Sequence, residues 1–185
     1  MVNHPNRKKA EVEVNHAEQN AAAWYGTIAE LVAALAVDYD RLEELTEERA
    51  DHDEEHGAGD WAISPDYKSD ADELRELITA ATIEGEIQKD ADAVRERIQE
   101  GPLSVEVRSD WQTPGSFDTK PSEFCILLST GGPALRLCGD LNEYGEPTRA
   151  YLQHQDWGTS WTDYFPGSGS GEVLLTYCQQ FYFGE

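Results

Sequence analysis

The chain has 185 residues, 39% hydrophobic residues, five tryptophans and a formal net charge of −23 at pH 7. This length suits one domain with a real core, or a small domain with a helical appendage, and excludes two large domains. The hydrophobic content excludes a wholly disordered chain. The charge repels DNA, RNA and anionic membranes, so the expected partners are basic surfaces, cations or none, and solubility alone also explains the charge.

The N-terminal residues 1–15 include the basic residues Arg7, Lys8 and Lys9 and lack the apolar run of a signal peptide. No segment of the sequence reaches the roughly 18 apolar residues that a membrane helix needs. We therefore expect residues 1–15 to form a flexible tail, and the protein to be cytoplasmic without a membrane partner.

Helical patterns fill residues 16–100 and end at Gly101 and Pro102. An apolar stripe with 3-4 spacing, interrupted at Asp38, predicts a first amphipathic helix. Its members are Trp24, Ile28, Leu31, Leu35, Leu42 and Leu45. This stripe must be buried against another element.

A second predicted helix begins at Ser69, a residue type that favours the N-cap position, with acidic residues in its first turn. Its apolar positions are Leu74, Leu77, Ile78, Ile83, Ile87, Ala91, Val94 and Ile98. The glycines and proline of "HGAGDWAISPDYKS" lie between the two helices. An antiparallel helical hairpin, rich in acidic residues, is the simplest arrangement.

Residues 101–185 predict a small antiparallel β-sheet. The β-rich runs "LSVEVRSDW", "EFCILLST", "ALRLCGDL" and "TRAYLQHQDW" predict about four strands, and "STGGPA" predicts a hairpin turn. After the linker "PGSGSG", a closing helix is predicted from Val173, Leu174, Tyr177, Cys178 and Phe181, which take neighbouring helical positions. The expected fold class is therefore α+β.

The three cysteines, Cys125, Cys138 and Cys178, have no C-x-x-C spacing and lie among apolar or small residues. Such cysteines are typically reduced and buried. We expect from them neither a structural disulfide nor a zinc site.

The most acidic stretch is "DYDRLEELTEERADHDEEH", residues 38–56, with ten carboxylates and two arginines. Eighteen helical residues span roughly 27 Å, so a net charge of −8 gives about one charge per 3.4 Å, as in one strand of DNA. Like charges at i and i+4 cost ~0.2–0.5 kcal/mol per pair, which favours selection for charge over a plain solvated face. The candidate partner-binding carboxylates are Asp38, Asp40, Glu43, Glu44, Glu47, Glu48, Asp51, Asp53, Glu54 and Glu55.

The same stretch contains His52, Glu55 and His56 in the H-x-x-E-H order of one metalloprotease class. The segment is polar, is followed by glycines and offers no clear third ligand, so a solvated helix end is the preferred interpretation. His154 near Asp156 is a weak candidate for a general base. We predict no catalytic residue, no metal and no cofactor, and therefore no enzyme.

Aromatic residues cluster in "DWGTSWTDYF". Core packing of a small sheet is the commoner use of such residues, and a protein-binding patch is the alternative. Trp157 and Trp161 are the candidate partner-binding residues of this cluster.

Several segments resemble a family of small acidic proteins of unassigned activity encoded by proteobacterial phages, prophages and plasmids. These segments are "GPLSVEVRSDW", "EFCILLSTGGPALRLCGDL", "EPTRAYLQHQDWGTSWTDYF", "LLTYCQQFYFGE" and "AAAWYGTIAELVAALAVDYDRLEELTEER". The resemblance covers most of the chain and carries no catalytic residues. It implies the context of anti-defence proteins, which include anti-CRISPR and antirestriction proteins that imitate DNA.

The expected function is non-catalytic inhibition of a bacterial defence system by an anti-CRISPR protein. The acids of residues 38–55, with some of the acids of residues 60–100, would form an acidic helical surface that occupies a basic DNA-binding site of an effector complex in the bacterial host cell, without direct nucleic-acid binding. The alternative is a structural or regulatory protein that forms a homodimer through the helical region, with the charge serving solubility. In that case Leu31 or Leu35 to Asp would abolish assembly.

Overall fold

The computed structural model describes residues 15–184, apart from residue 112 and residues 116–119. The predicted flexible tail, with Arg7, Lys8 and Lys9, lies outside the described residues except for Asn15. The Asn15 side chain accepts a hydrogen bond from the Glu18 amide and so caps the first helix.

The described residues form six helices and seven strands. In chain order these are α1 (His16–Leu35), α2 (Tyr39–His56), α3 (Asp60–Ile63), α4 (Lys68–Ala81), β1 (Thr82–Ile83), β2 (Glu86–Ile87), α5 (Ala91–Glu100), β3 (Ser104–Arg108), β4 (Glu123–Ser129), β5 (Ala134–Leu141), β6 (Pro147–Gln155), β7 (Thr162–Tyr164) and α6 (Ser170–Cys178).

The larger sheet contains β3 to β7, all antiparallel, with a spatial order that follows the chain order. The four predicted runs correspond to β3, β4, β5 and β6, and β7 comes from the aromatic cluster. An N-terminal helical pair, this sheet and the closing helix α6 confirm the predicted α+β fold class.

One face of the sheet carries the main core. Burial alternates along β4, which places Phe124, Ile126 and Leu128 on the buried face. Helices α1 and α6 pack on this face, with α5 and β1 beside them. These helices share one core with the sheet. The predicted boundary at residue 100 is therefore the point at which helices give way to strands within one fold. Fully burying one apolar side chain of this size stabilises the fold by about 1.5–3 kcal/mol relative to leaving it exposed.

A second, smaller core holds α2, α3 and α4 together. Leu42 and Leu45 of α2 pack with Trp61 of α3 and Leu74 of α4. Trp61 is 1% exposed. This cluster fixes the apolar side of α2, so the acidic side of α2 faces solvent.

The predicted first helix is two helices. The stripe is interrupted at Asp38 because α1 ends at Leu35 and α2 begins at Tyr39, with a bend of 79° between them. Ile28 and Leu31 face the main core, whereas Leu45 faces the second core. The stripe proposed as a dimer interface is therefore used inside the chain, and the homodimer stays a prediction.

The predicted second helix is also interrupted. Ile83 and Ile87 belong to the hairpin β1–β2, whose turn residues Glu84 and Gly85 both have positive φ, as type I′ turns require. Ser69 was wrongly predicted as the N-cap: it lies inside α4, whose N-cap is Tyr67.

Candidate functional site

Helix α2 displays a row of exposed carboxylates on the side opposite its buried leucines. Asp38 caps the helix by accepting a hydrogen bond from the Arg41 amide at 3.0 Å. The exposed acids that follow are three residues or one residue apart, so each turn carries one or two of them on the same side of the helix. The exposed acids of α2 are Asp40, Glu43, Glu44, Glu47, Glu48, Asp51, Glu54 and Glu55.

Two of the ten predicted carboxylates serve the helix itself. Asp38 is the N-cap described above, and Asp53 accepts a hydrogen bond from the Gly59 amide at 3.1 Å beyond the C-terminus. Asp53 also lies 3.6 Å from Arg49, with its side chain 19% exposed. These two carboxylates are less available to a partner than the other eight.

Arg41 joins the acids of α2 to those of α4. Its guanidinium donates to both carboxylate oxygens of Glu73, at 3.3 and 3.0 Å, and to Glu44 at 2.8 Å. It also lies 3.6 Å from Asp70. The hydrogen bonds to Glu73 and then Glu44 raise the pKa of Arg41 above its ordinary value.

The acidic helical surface consists of the eight exposed α2 carboxylates together with Asp70 and Glu73 of α4. Within the described part of the chain, only Glu44 among the eight forms an ion pair. Asp70 and Glu73 were not named as candidate residues, although the prediction included some of the acids of residues 60–100. They approach α2 through the packing of two helices, and only their acidic character was visible in the sequence.

The charge density of α2 is close to that of a nucleic-acid strand. Its 18 residues carry nine carboxylates and two arginines. A helix of this length spans roughly 27 Å, which gives about one net negative charge per 4 Å, against ~3.4 Å per charge along one DNA strand. The acids of α4 add to this surface.

The two predicted tryptophans lie in the loop between β6 and β7 and not on the acidic helical surface. The Trp157 side chain is 78% exposed and lies against Gly132 in the turn between β4 and β5. The ring of Trp161 lies 4.1 Å from the guanidinium carbon of Arg136 on β5, a cation–π contact. Whether either tryptophan contacts a partner stays a prediction.

In the histidine motif of α2, the ring of His52 packs against two neighbouring rings. His52 lies 5.0 Å from the ring of Tyr67 and 4.6 Å from His56, measured between ring centroids. Glu55 and His56 are exposed. Residues 15–184, with the gaps given above, contain no group of three His, Cys, Asp or Glu side chains that could hold a metal ion.

His154 is buried in the sheet, whereas the general-base hypothesis placed it beside Asp156. It is 8% exposed and follows the buried residues Ala150 and Leu152 at alternate positions of β6. Its side chain therefore lies on the core face of the sheet, whereas Asp156 is exposed in the loop after β6.

Two of the three cysteines lie together. Cys125 on β4 and Cys138 on β5 are cross-strand partners, and their Sγ atoms are 3.2 Å apart. Cys178 is fully buried in α6. Cys138 and Cys178 are buried as predicted, whereas Cys125 is only half-buried. The sequence contained no spacing that indicated the pair, because strand register created it.

No single helix among the described residues combines the length and apolar character needed to cross a bilayer. The sequence matches no family model, and comparison with curated proteins and with solved structures found no match.

Proposed function

We propose that this protein is a non-catalytic inhibitor that binds the basic nucleic-acid-binding surface of a bacterial defence complex. The observation that carries the proposal is the acidic helical surface, in which Arg41 joins the exposed acids of α2 to Asp70 and Glu73 of α4. A basic groove that tracks a phosphate backbone would meet a similar linear density of negative charge on this surface.

The supporting argument is electrostatic. Complementary charge accelerates encounter with a basic partner and makes association strongly dependent on salt. The net charge of −23 opposes direct binding to nucleic acid, so the partner is a protein. Seven α2 carboxylates without an ion pair in the described chain are free to meet lysines and arginines of that partner.

More specifically, the proposed activity is inhibition of a CRISPR effector complex in the cytoplasm of a bacterial host. It rests on the resemblance to proteins of phages, prophages and plasmids described above. Within this proposal the protein acts by occupying a DNA-binding channel and uses no catalytic residue, metal or cofactor.

The test is capture of purified CRISPR effector complexes and restriction enzymes on the full chain, at increasing salt and with duplex DNA as competitor. One variant carries Gln at Glu43, Glu47, Glu48, Glu54 and Glu55. A control variant carries Gln at five exposed glutamates outside the surface, which are Glu30, Glu96, Glu100, Glu143 and Glu172. Both variants change the net charge equally.

We expect the first variant to lose capture and the control variant to keep it, with DNA displacing the bound effector. Equal losses in the two variants would mean that net charge alone drives capture. Capture that DNA does not reduce would mean that the contact lies outside a nucleic-acid-binding site. Absence of capture would refute the proposed inhibitor function.

A further inference from the structure

The half-exposed face of the sheet places Cys125 directly opposite Cys138. The Leu141 amide donates to the Ser122 carbonyl at 2.8 Å just before β4, so residues 122 and 141 occupy a hydrogen-bonded position in the register of β4 with β5. Hydrogen-bonded and non-hydrogen-bonded pairs alternate along an antiparallel ladder. Three positions further, Cys125 and Cys138 are therefore a non-hydrogen-bonded pair, in which opposite side chains come closest.

This backbone arrangement is suited to a disulfide. Opposite Cα atoms of a non-hydrogen-bonded pair are ~4.5 Å apart, which falls inside the range of ~4.4–6.8 Å that disulfides span. The two Sγ atoms are 3.2 Å apart as free thiols. A bond between them requires a small movement of the side chains and no change of strand register.

The pair lies in a cavity of about 250 Å³ on the surface of the sheet. Arg136, Arg108 and Tyr151 line this cavity with the two cysteines. Arg108 is paired with Glu123, whereas Arg136 donates to Gln153 at 2.9 Å and forms no ion pair within the described chain. The cavity therefore offers space for a small reagent and a cationic group beside the thiols.

The two thiols are chemically unequal. The thiol of Cys138 donates to Cys125, which lowers the pKa of Cys125 to about 7; burial opposes this change and the charge of Arg136 supports it. The same hydrogen bond, together with burial, raises the pKa of Cys138. Cys125 is the more exposed of the two and is the thiol that ionises first.

We propose that Cys125 and Cys138 form a redox-active dithiol that reacts with soluble disulfides of the glutathione class and closes to a cross-strand disulfide. The Cys125 thiolate attacks one sulfur of the disulfide, forms a mixed disulfide and releases one thiolate, which takes a proton. Cys138 then loses its proton to solvent and attacks the Cys125 sulfur, releasing the second thiolate, which is protonated in turn. One external disulfide is reduced to two thiols, and two protein thiols are oxidised to one disulfide.

This site is separate from the acidic helical surface. It belongs to β4 and β5, whereas that surface belongs to α2 and α4. The proposal therefore does not depend on the inhibitor function, and each can fail alone.

The experiment equilibrates the full chain with mixtures of reduced and oxidised glutathione at pH 7. Acid quenching, alkylation and peptide mass mapping then assign the state of each cysteine. We expect a species linked between Cys125 and Cys138 that has lost two hydrogen atoms, with Cys178 still reduced because it is fully buried. Chains that stay reduced in excess oxidised glutathione, or that link Cys178, would overturn the proposal.

Single serine variants separate the attacking role of Cys125 from the resolving role of Cys138. Cys138→Ser should stop at one glutathione on Cys125, because the resolving thiol is absent. Cys125→Ser should react at Cys138 at least about tenfold more slowly, because thiolate fraction controls the rate. Equal rates in the two variants would refute the assignment, and circular dichroism of both variants checks that the fold is retained.

Discussion

Gly139 on β5 lies directly opposite Phe124 on β4, and the phenyl ring fills the space that a side chain at residue 139 would need. A Cβ atom at this position would lie 2.6 Å from the ring and 1.8 Å from the carbonyl oxygen of Arg149. Both neighbours are held in the sheet, because Phe124 is 2% exposed and residue 149 is part of β6. Glycine is required here by this close approach.

Gly139→Ala should therefore lower the free energy of unfolding by about 1–3 kcal/mol, the usual cost of overpacking a closely packed site. Urea denaturation followed by circular dichroism measures this change. Gly26→Ala is the matched control, because no atom lies within 4 Å of a Cβ at this helical position. The control should gain up to about 1 kcal/mol from helix propensity, and similar values for the two variants would contradict the close-approach argument.

Leu45→Ala tests the second core, which supports the acidic helical surface. Leu45 is fully buried among α2, α3 and α4. Its truncation should cost about 2–5 kcal/mol and leave a cavity. Hydrogen exchange should then accelerate more in α2 and α4 than in β4 and β5, because the two cores are distinct clusters.

Glu47→Ala on the same helix is the control for Leu45→Ala, since Glu47 is exposed and should change stability by less than about 0.5 kcal/mol. Uniform acceleration of exchange across the sheet and α2 would show that the two cores open together.

Asp38 can support α2 through its capping oxygen or through its negative charge. Asp38→Ala removes the oxygen that accepts from the Arg41 amide and should cost about 1 kcal/mol of stability. Asp38→Asn keeps a capping oxygen and removes the charge, so its unfolding free energy should stay close to that of the wild type. Denaturation of both variants distinguishes the roles, and equal destabilisation would mean that the charge, not the cap, supports α2.

Stability should fall at alkaline pH because of Cys178. Burial raises the pKa of the Cys178 thiol well above its ordinary value. The folded chain therefore keeps this proton, whereas the unfolded chain releases it above a pH of ~8.5. The stabilising contribution is complete below that pH and declines as the pH rises further.

Urea midpoints measured under reducing conditions from pH 7.5 to 10.5 should show this decline, and Cys178→Ala should make it shallower. Because both proteins retain Cys125 and Cys138, the difference in slope isolates Cys178. Burial also raises the pKa of Tyr177, so a further decline above a pH of ~10 should remain in the variant. Identical slopes in the two proteins would refute the role of Cys178.

Local periodicity was sufficient for most elements. β-rich runs bounded by turn residues predicted β4 and β6, and the helical stripe predicted which side of α1 and α2 is buried. The prediction of a continuous second helix failed because the spacing of its apolar residues fits both a helix and a short hairpin. Ile83 and Ile87 fit a helical stripe, yet they lie in the β1–β2 hairpin, and Ile87 is 57% exposed.

The sequence by itself determined the charge, the solvent-facing side of α2 and the α+β class, because residue type and spacing decide which side chains can be buried. Only the tertiary structure brought Glu73 to Arg41, across 32 positions, and Cys125 to Cys138. Helix packing and strand register decide such pairs, and they are set by burial of the whole core, which no local spacing records.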